Sequence, residues 1–343
     1  MEGEIGNMPE GSAPKTAKTG GTRLWIKLLA GLYGISILCA LLIIFKGRPF
    51  DKARKPDMAD LPGMGMISGK GSGVGWISIR GAIAESDGAK PWEKGVQQWV
   101  RRLRSMAGKK EIKAIVLDIN SPGGSVGAVQ EIYSEILRVR QENKKPVVAL
   151  FGDVAASGAY YIAAACDSIV AHPGTITGSI GVIFNSGNVE GLFKKIGIRS
   201  EVIKSGKHKD IGSFTRGMTD EEREILQSLI DDAYSQFFTA VSEGRKMSES
   251  RLRPLADGRI FSGRQALEAG LVDKLGGSRE AADVAGELGG LGRDPRIIRE
   301  GDAWEQIFGI LDLGFSGALS MSSGLKQLLP ELSQPRLEYR WAY

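Results

Sequence analysis

Apolar and polar positions divide the 343-residue chain into stretches of very different character. Leu28 to Phe45 is 18 residues without a charge, bracketed by Trp25 and Lys27 on one side and Lys46 and Arg48 on the other. At about 1.5 Å per residue such a helix reaches roughly 27 Å, enough to cross a bilayer. The pattern predicts a single transmembrane helix over 28–45, behind a polar tail, 1–27, whose composition favours disorder. No Ala-x-Ala-like cleavage site follows the apolar run, which speaks against a cleaved leader. A linker rich in Pro, Gly and Met covers 46–73. Gly71-Ser-Gly-Val-Gly75 reads as a hinge, because a phosphate-binding glycine loop follows a strand, whereas this one precedes it.

From Val74 onward the pattern alternates. Short β-branched runs at 74–79, 112–119, 147–151 and 168–171 predict strands, and amphipathic stretches at 92–106 and 126–140 predict helices, with a small-residue helix after Ser157. Strand and helix in turn define an α/β domain with a largely parallel sheet, placed at 74–290, and such sheets carry their chemistry at the carboxyl ends of the strands. Thr219-Asp-Glu-Glu222 is a capping box opening a long helix, along which Ile225, Leu226, Leu229, Ile230, Ala233, Tyr234, Phe237 and Phe238 recur at helical spacing. That stripe suits a core or a subunit contact. The segment 291–343 is less readable: 304–328 is apolar with Gly and Ser interruptions, fit to lie against a membrane or a neighbouring subunit, and Pro335 to Tyr343 shows no pattern.

Composition adds two exclusions. Residues 1–55 hold nine Lys and Arg against four Asp and Glu, so of the net +5 nothing remains beyond residue 55, where 36 basic residues meet 36 acidic ones. The basic excess is local to the N-terminal segment, and nucleic-acid binding is not supported. Basic residues flank the apolar run on both sides, leaving membrane orientation unspecified by charge. Of the two cysteines, Cys39 lies in the apolar run and Cys166 in the small-residue helix, so they are not expected to pair and do not report a compartment.

Candidate chemistry gathers at three places. Ser157 stands where a strand gives way to a helix, with backbone N–H groups and the positive helix end beside its hydroxyl. Taken alone, a serine there is more often a helix cap. Asn120-Ser-Pro-Gly-Gly124 follows another strand, and its glycines leave N–H groups free of side-chain cover, as an oxyanion hole needs; it also reads as an ordinary turn. A serine nucleophile needs a base, and the chain has only two histidines, His172 and His208. His172, between a strand and Pro173, suits a structural role. Attention therefore turns to Lys204, Lys207 and Lys209, since a lysine removed from water can act as a base. Ile203 and Ile211 offer apolar surroundings locally, and such a base predicts loss of activity in acid.

Together Asn120–Gly124, Ala156-Ser-Gly-Ala-Tyr-Tyr161, Thr177-Gly-Ser-Ile-Gly181, Lys204–Asp210, Asp257-Gly-Arg-Ile-Phe-Ser-Gly-Arg-Gln-Ala266 and Gly270-Leu-Val-Asp273 resemble, in colinear order over about 74–288, the half-length, membrane-anchored Ser/Lys proteases of the signal peptide peptidase A family. The resemblance implies a fold like that of Clp protease and crotonase, built of repeated strand-strand-helix units and preceded by one transmembrane helix. It implies Ser157 as nucleophile, Lys209 as general base, Ser179 orienting the lysine, and the N–H groups of Gly124 and Gly158 as the oxyanion hole. It further implies no cofactor or metal, a homo-oligomeric ring whose sites draw Ser and Lys from adjacent subunits, and substrates that are cleaved signal peptides or similar apolar peptides. The catalytic domain would stand on the outer, periplasmic face of a bacterial inner membrane. Two other readings stay open: a crotonase-like acyl-CoA hydratase or hydrolase, which would need site glutamates where Glu131 and Glu135 read as the outer part of a helix, and a non-catalytic membrane scaffold.

Overall fold

The computed structural model describes Ser36 and residues 71–85, 95–299 and 337–340. Apart from Ser36, the predicted transmembrane segment 28–45 lies outside these residues, as do most of the linker and the apolar stretch 304–328. Among the described residues no helix is long and apolar enough to cross a membrane.

The expected alternation is present within the compact unit Gly69–Tyr343. Strand β1 (Gly73–Arg80) is followed by α1 (Val96–Gly108), β2 (Ile112–Ser121), a short β3 (Gly123–Ser125), α2 (Val126–Gln141), β4 (Val147–Ala156), α3 (Gly158–Ala164), β5 (Ser168–Ala171) and β6 (Ile176–Gly178). Then come β7 (Ile183–Phe184), α4 (Glu190–Ile196), α5 (Asp220–Gly244), α6 (Glu249–Leu252), β8 (Ile260–Ser262), α7 (Gly263–Ala269), β9 (Lys274–Leu275), α8 (Ser278–Leu288), β10 (Ile297–Arg299) and β11 (Leu337–Arg340). The main sheet runs β10-β1-β2-β4-β5-β9, every neighbouring pair parallel, with β6 parallel to the end of β4 and β8 antiparallel to β6. A second sheet of three antiparallel strands runs β3-β11-β7. This mixed α/β arrangement fits a Clp-protease-like fold.

Parallel strands covered on both faces read as unbroken apolar runs, and Ile115-Val-Leu117 and Val147-Val-Ala-Leu-Phe151 are buried throughout. One face packs the main core, in which Trp99, Leu103, Val129, Ile132, Tyr160 and Phe237 from α1, α2, α3 and α5 meet Ile77, Ile115 and Phe151 of the strands. The other face carries a smaller cluster, where Ala281, Ala282 and Ala285 of α8 meet Trp76, Val116 and Val148.

Several expectations need correction. Strand β4 runs five residues past the predicted Phe151, because Val154–Ala156 gains β6 as a partner that its own sequence does not announce. Gly73–Gly75 of the expected hinge are strand instead. A β-carbon on Gly73 would come to 2.5 Å of the Arg296 carbonyl oxygen and one on Gly75 to 2.7 Å of Met106 Sδ, so these glycines admit close neighbours rather than bending the chain. Glu135 does not face outward: it is buried, because α1 packs alongside α2 and supplies Arg104 Nε at 2.9 Å while Arg138 Nη1 lies at 3.2 Å. The C-terminal region also supplies two strands, β10 at the edge of the main sheet and β11 at the centre of the small one.

Helix α5 opens with the predicted capping box, Thr219 accepting from the Glu222 N–H and the Glu222 carboxylate accepting from the Thr219 N–H. Its apolar stripe is only half covered. Ala233, Phe237 and Phe238 are buried, whereas Ile225 and Leu229 nearer the N-terminus are exposed.

Candidate active site

Three strand ends converge. Strands β4 and β6 lie in register with Ala156 opposite Gly178, so the next residues, Ser157 and Ser179, leave the sheet side by side. The Ser157 N–H donates to the Gly178 carbonyl at 2.8 Å. Both serines take left-handed backbone angles, φ 55° for Ser157 and φ 50° for Ser179. A non-glycine residue held there costs about 1–3 kcal/mol and persists only when its surroundings impose it, a condition that clusters at functional sites. Ser157 occupies the N-cap position of α3, yet its side chain makes no capping hydrogen bond. The capping role that suits such a serine in isolation is therefore absent, and the turn resembles the strained strand-to-helix elbow that exposes a nucleophile elsewhere.

The glycine loop arrives from the end of β2, where Ser121 pairs with Ala155. Gly123 takes φ 97°, and its N–H donates to Ser121 Oγ at 3.1 Å, fixing the turn. A β-carbon on Gly158 would lie 3.2 Å from the Gly124 amide nitrogen, and one on Gly123 would lie 2.7 Å from the Gly158 amide nitrogen. The structure thus brings Ser157, Ser179, Gly124 and Gly158 to one corner of the fold. Ser157 and Ser179 share the wall of a cavity of about 410 Å³, with Ile180, Ile230, Asp231, Tyr234, Asp257 and Arg340 among its other lining residues.

Lys209 is not among the residues lining that cavity. It sits exposed on the loop between α4 and α5. Its neighbours are all engaged: Lys204 Nζ donates to Asp210 at 2.6 Å, Lys207 and His208 both pair with Glu221, and Arg216 holds Asp210. Lys209 has no side-chain partner among the described residues. The apolar surroundings expected from the adjacent isoleucines do not form within the chain, since Ile203 is fully exposed. Backbone turns shape the loop, the Lys209 N–H donating to the Gly206 carbonyl and the Ile211 N–H to the His208 carbonyl. His172 is exposed, and only its backbone carbonyl is used, by the Thr175 N–H at 3.1 Å.

Sequence reading missed the strand β11. Four residues of the C-terminal region lie antiparallel between β3 and β7, with Tyr339 opposite Gly124 and Arg340 opposite Gly123. The Tyr339 ring is buried against Tyr161 and Phe237, at centroid distances of 5.2 Å and 5.1 Å, and its hydroxyl donates to the Ala233 carbonyl at 2.9 Å. Its carbonyl oxygen would lie 2.1 Å from a β-carbon on Gly123 and 3.0 Å from one on Gly158, which sets it beside the amides of the glycine loop and α3. Four residues with one buried aromatic give no local signal of such a place.

Two carboxylates, Asp257 in the cavity wall and Glu222 at the start of α5, are held well below their ordinary range. The Arg216 guanidinium, helped by the Thr219 N–H, brings Glu222 down to about 2, and Arg259, by side chain and N–H, brings Asp257 down to about 2. A carboxylate whose folded pKa is depressed adds stability above its unfolded value and loses that contribution as pH falls toward the folded one. The melting temperature is accordingly expected to fall as pH drops from about 5 toward 2, by the linkage between proton uptake and unfolding, with a shallower fall in Glu222→Gln. A scan of melting temperature against pH checks this. Among the described residues no group of three or more His, Cys, Asp or Glu could hold a metal ion.

The fold and site define an α/β protein with a strained serine at the end of a parallel strand, and comparison with known proteins gives this a class. The profile of peptidase family S49 matches residues 139–292. A Synechocystis protein that bears a provisional protease name is 45% identical over 218 residues, covering 64% of this chain and 75% of that protein. A Methanocaldococcus jannaschii protein with a similarly provisional protease name is 35% identical over 246 residues, 71% of this chain and 78% of its own. Protease 4 of Salmonella typhi is 33% identical over 267 residues, 78% of this chain but only 41% of that longer protein. The chain belongs to peptidase family S49 and is, by that membership, a serine peptidase.

Proposed function

We propose that this chain is a membrane-anchored endopeptidase in which Ser157 is the nucleophile, Lys209 of an adjacent copy the general base, and Ser179 the group that orients the lysine. The observation that carries this reading is the strand β11, an extended segment seated between β3 and β7 with a peptide carbonyl beside the amides of Gly124 and Gly158 and next to Ser157. A groove that accepts one extended strand by backbone pairing accepts others, with pockets for alternate side chains supplying selectivity.

The chemistry follows from those parts. A neutral Lys209 amine takes the Ser157 hydroxyl proton as the oxygen bonds to the substrate carbonyl carbon, and the negative charge passes to the carbonyl oxygen between the Gly124 and Gly158 N–H groups. The resulting ammonium returns the proton to the departing amine as the C–N bond breaks. Water, deprotonated by the same amine, then releases the acyl group from Ser157. A base reached from a neighbouring copy accounts for two features among the described residues: no lysine lines the Ser157 cavity, and Lys209 stands at the surface without a side-chain partner. The surrounding arm also exposes Leu192, Ile196, Ile198, Val202 and Phe214, an apolar surface suited to a second copy in a ring.

Substrates are extended apolar peptides, of which cleaved signal peptides are the fitting class, reached through the 28–45 anchor from the outer face of the inner membrane. The chain is read as tail 1–27, anchor 28–45, linker 46–73, peptidase domain 74–290 and C-terminal segment 291–343. The Tyr339 pocket predicts the residue donating the scissile carbonyl. Peptides with Tyr or Phe at that position are expected to be cleaved roughly 100-fold faster than peptides with Asp, in keeping with the cost of desolvating an unpaired charge in an aromatic pocket. Cleavage products of a peptide library, sequenced by mass spectrometry, test this. Preference for acidic residues there would contradict the assignment of the groove.

A further inference from the structure

We propose that Arg216 is a positioning residue that holds the Lys209 loop in its working geometry by tying Asp210 to Glu222. The inference rests on the reading of Lys209 as the base. Asp210 follows Lys209 directly in the chain. Its carboxylate receives Arg216 Nε at 2.9 Å on one oxygen and Arg216 Nη2 at 2.8 Å on the other, a two-pronged contact that fixes direction as well as distance. The same guanidinium reaches Glu222 through Nη1 at 2.9 Å. Glu222 is rooted in the first turn of α5 by its capping box and is only 2% exposed.

One arginine therefore bridges the residue beside the base to the rigid start of a 25-residue helix. The loop's other ties to α5 are the more exposed pairs of Lys207 and His208 with Glu221, while Ile203 is in solvent and α4 on its other side has no buried residue. Ion pairs exposed to water contribute little, but here both carboxylates are largely covered, at 12% and 3% side-chain exposure, so removing the guanidinium strands Glu222 and leaves Asp210 to Lys204 alone. Misplacing a catalytic group by about 1 Å costs on the order of 100-fold in rate. Arg216 touches no reacting atom in this account and acts only through Lys209.

The test uses the full chain in detergent and an amino-acid p-nitrophenyl ester reactive enough for slow variants to be followed. Arg216→Gln is expected to lower kcat roughly 50- to 100-fold with KM within about twofold, and Glu222→Gln, whose glutamine still completes the capping box, to lower kcat about 5- to 10-fold with the fold intact. The double variant Lys209→Ala/Arg216→Gln should be no slower than Lys209→Ala, because residues acting as one unit are not additive. The inference is overturned by wild-type kcat in Arg216→Gln, by a loss confined to KM, or by a double variant slower than Lys209→Ala by the full Arg216→Gln factor. Wild-type kcat in Lys209→Ala would remove the base assignment together with this inference. An inactive Lys209→Ala beside a fully active Arg216→Gln would remove the inference alone.

Discussion

Ser157→Ala abolishes peptide hydrolysis, with kcat falling by about 10⁴-fold or more, the scale seen when a serine nucleophile is removed from a working catalytic group. The residual rate belongs to the glycine amides and to binding. The substitution leaves the fold in place for a specific reason: the Ser157 side chain makes no capping hydrogen bond, and the backbone N–H to Gly178 that holds the turn is retained. Alanine at φ 55° inherits the strain already present, so melting temperature should move by only a few degrees. Hydrolysis of a fluorogenic peptide and covalent capture by a serine-reactive probe are the two readouts. Persistent labelling of the alanine variant would assign the nucleophile elsewhere.

Gly124→Ala is the second large effect. A β-carbon there would fall 1.8 Å from the Ile83 carbonyl oxygen, and Ile83 is bound into the same corner through its N–H to Gly123 and the Ser125 N–H to its carbonyl. Backbone cannot give way as a side-chain tip can, so the glycine loop itself is expected to move and to carry its N–H away from the proposed oxyanion position. Loss of one such donor costs about 100- to 1,000-fold in kcat. Gly127→Ala, three residues on in the first turn of α2 and with open space around its Cα, serves as the control and should leave kcat unchanged. Equal effects from the two substitutions would mean that the loop is serving the fold rather than the reaction.

Much of this site could be read from residues alone, for physical reasons that also explain the gaps. Buried parallel strands leave apolar runs, and helices between them leave a 3.6-residue stripe, so β2, β4, β5 and α2 were placed within a few residues. Ser157 and the glycine loop followed from the rule that such sheets carry their chemistry at strand ends. What could not be read depends on distant partners. The last residues of β4 become strand only because β6 lies beside them, and Glu135 is buried only because α1 brings Arg104. Gly73 and Gly75 look like a hinge until the neighbours pressing on them are known. Strand β11 is the extreme case, since its partners Gly124 and Ile183 precede it by well over 100 residues. For Lys209, sequence supplied a candidate base, and the single chain shows it exposed and not among the residues lining the Ser157 cavity.

The central claim, that one site takes its serine from one chain and its lysine from the next, is tested most directly by co-expressing full-length Ser157→Ala and Lys209→Ala chains. Each alone should be inactive. In mixed assemblies a site is whole when a Lys209→Ala chain, with its intact serine, adjoins a Ser157→Ala chain, with its intact lysine. For random head-to-tail mixing the account predicts recovery of roughly a quarter of wild-type activity. Mixed assemblies that form but stay as inactive as either variant alone would contradict it.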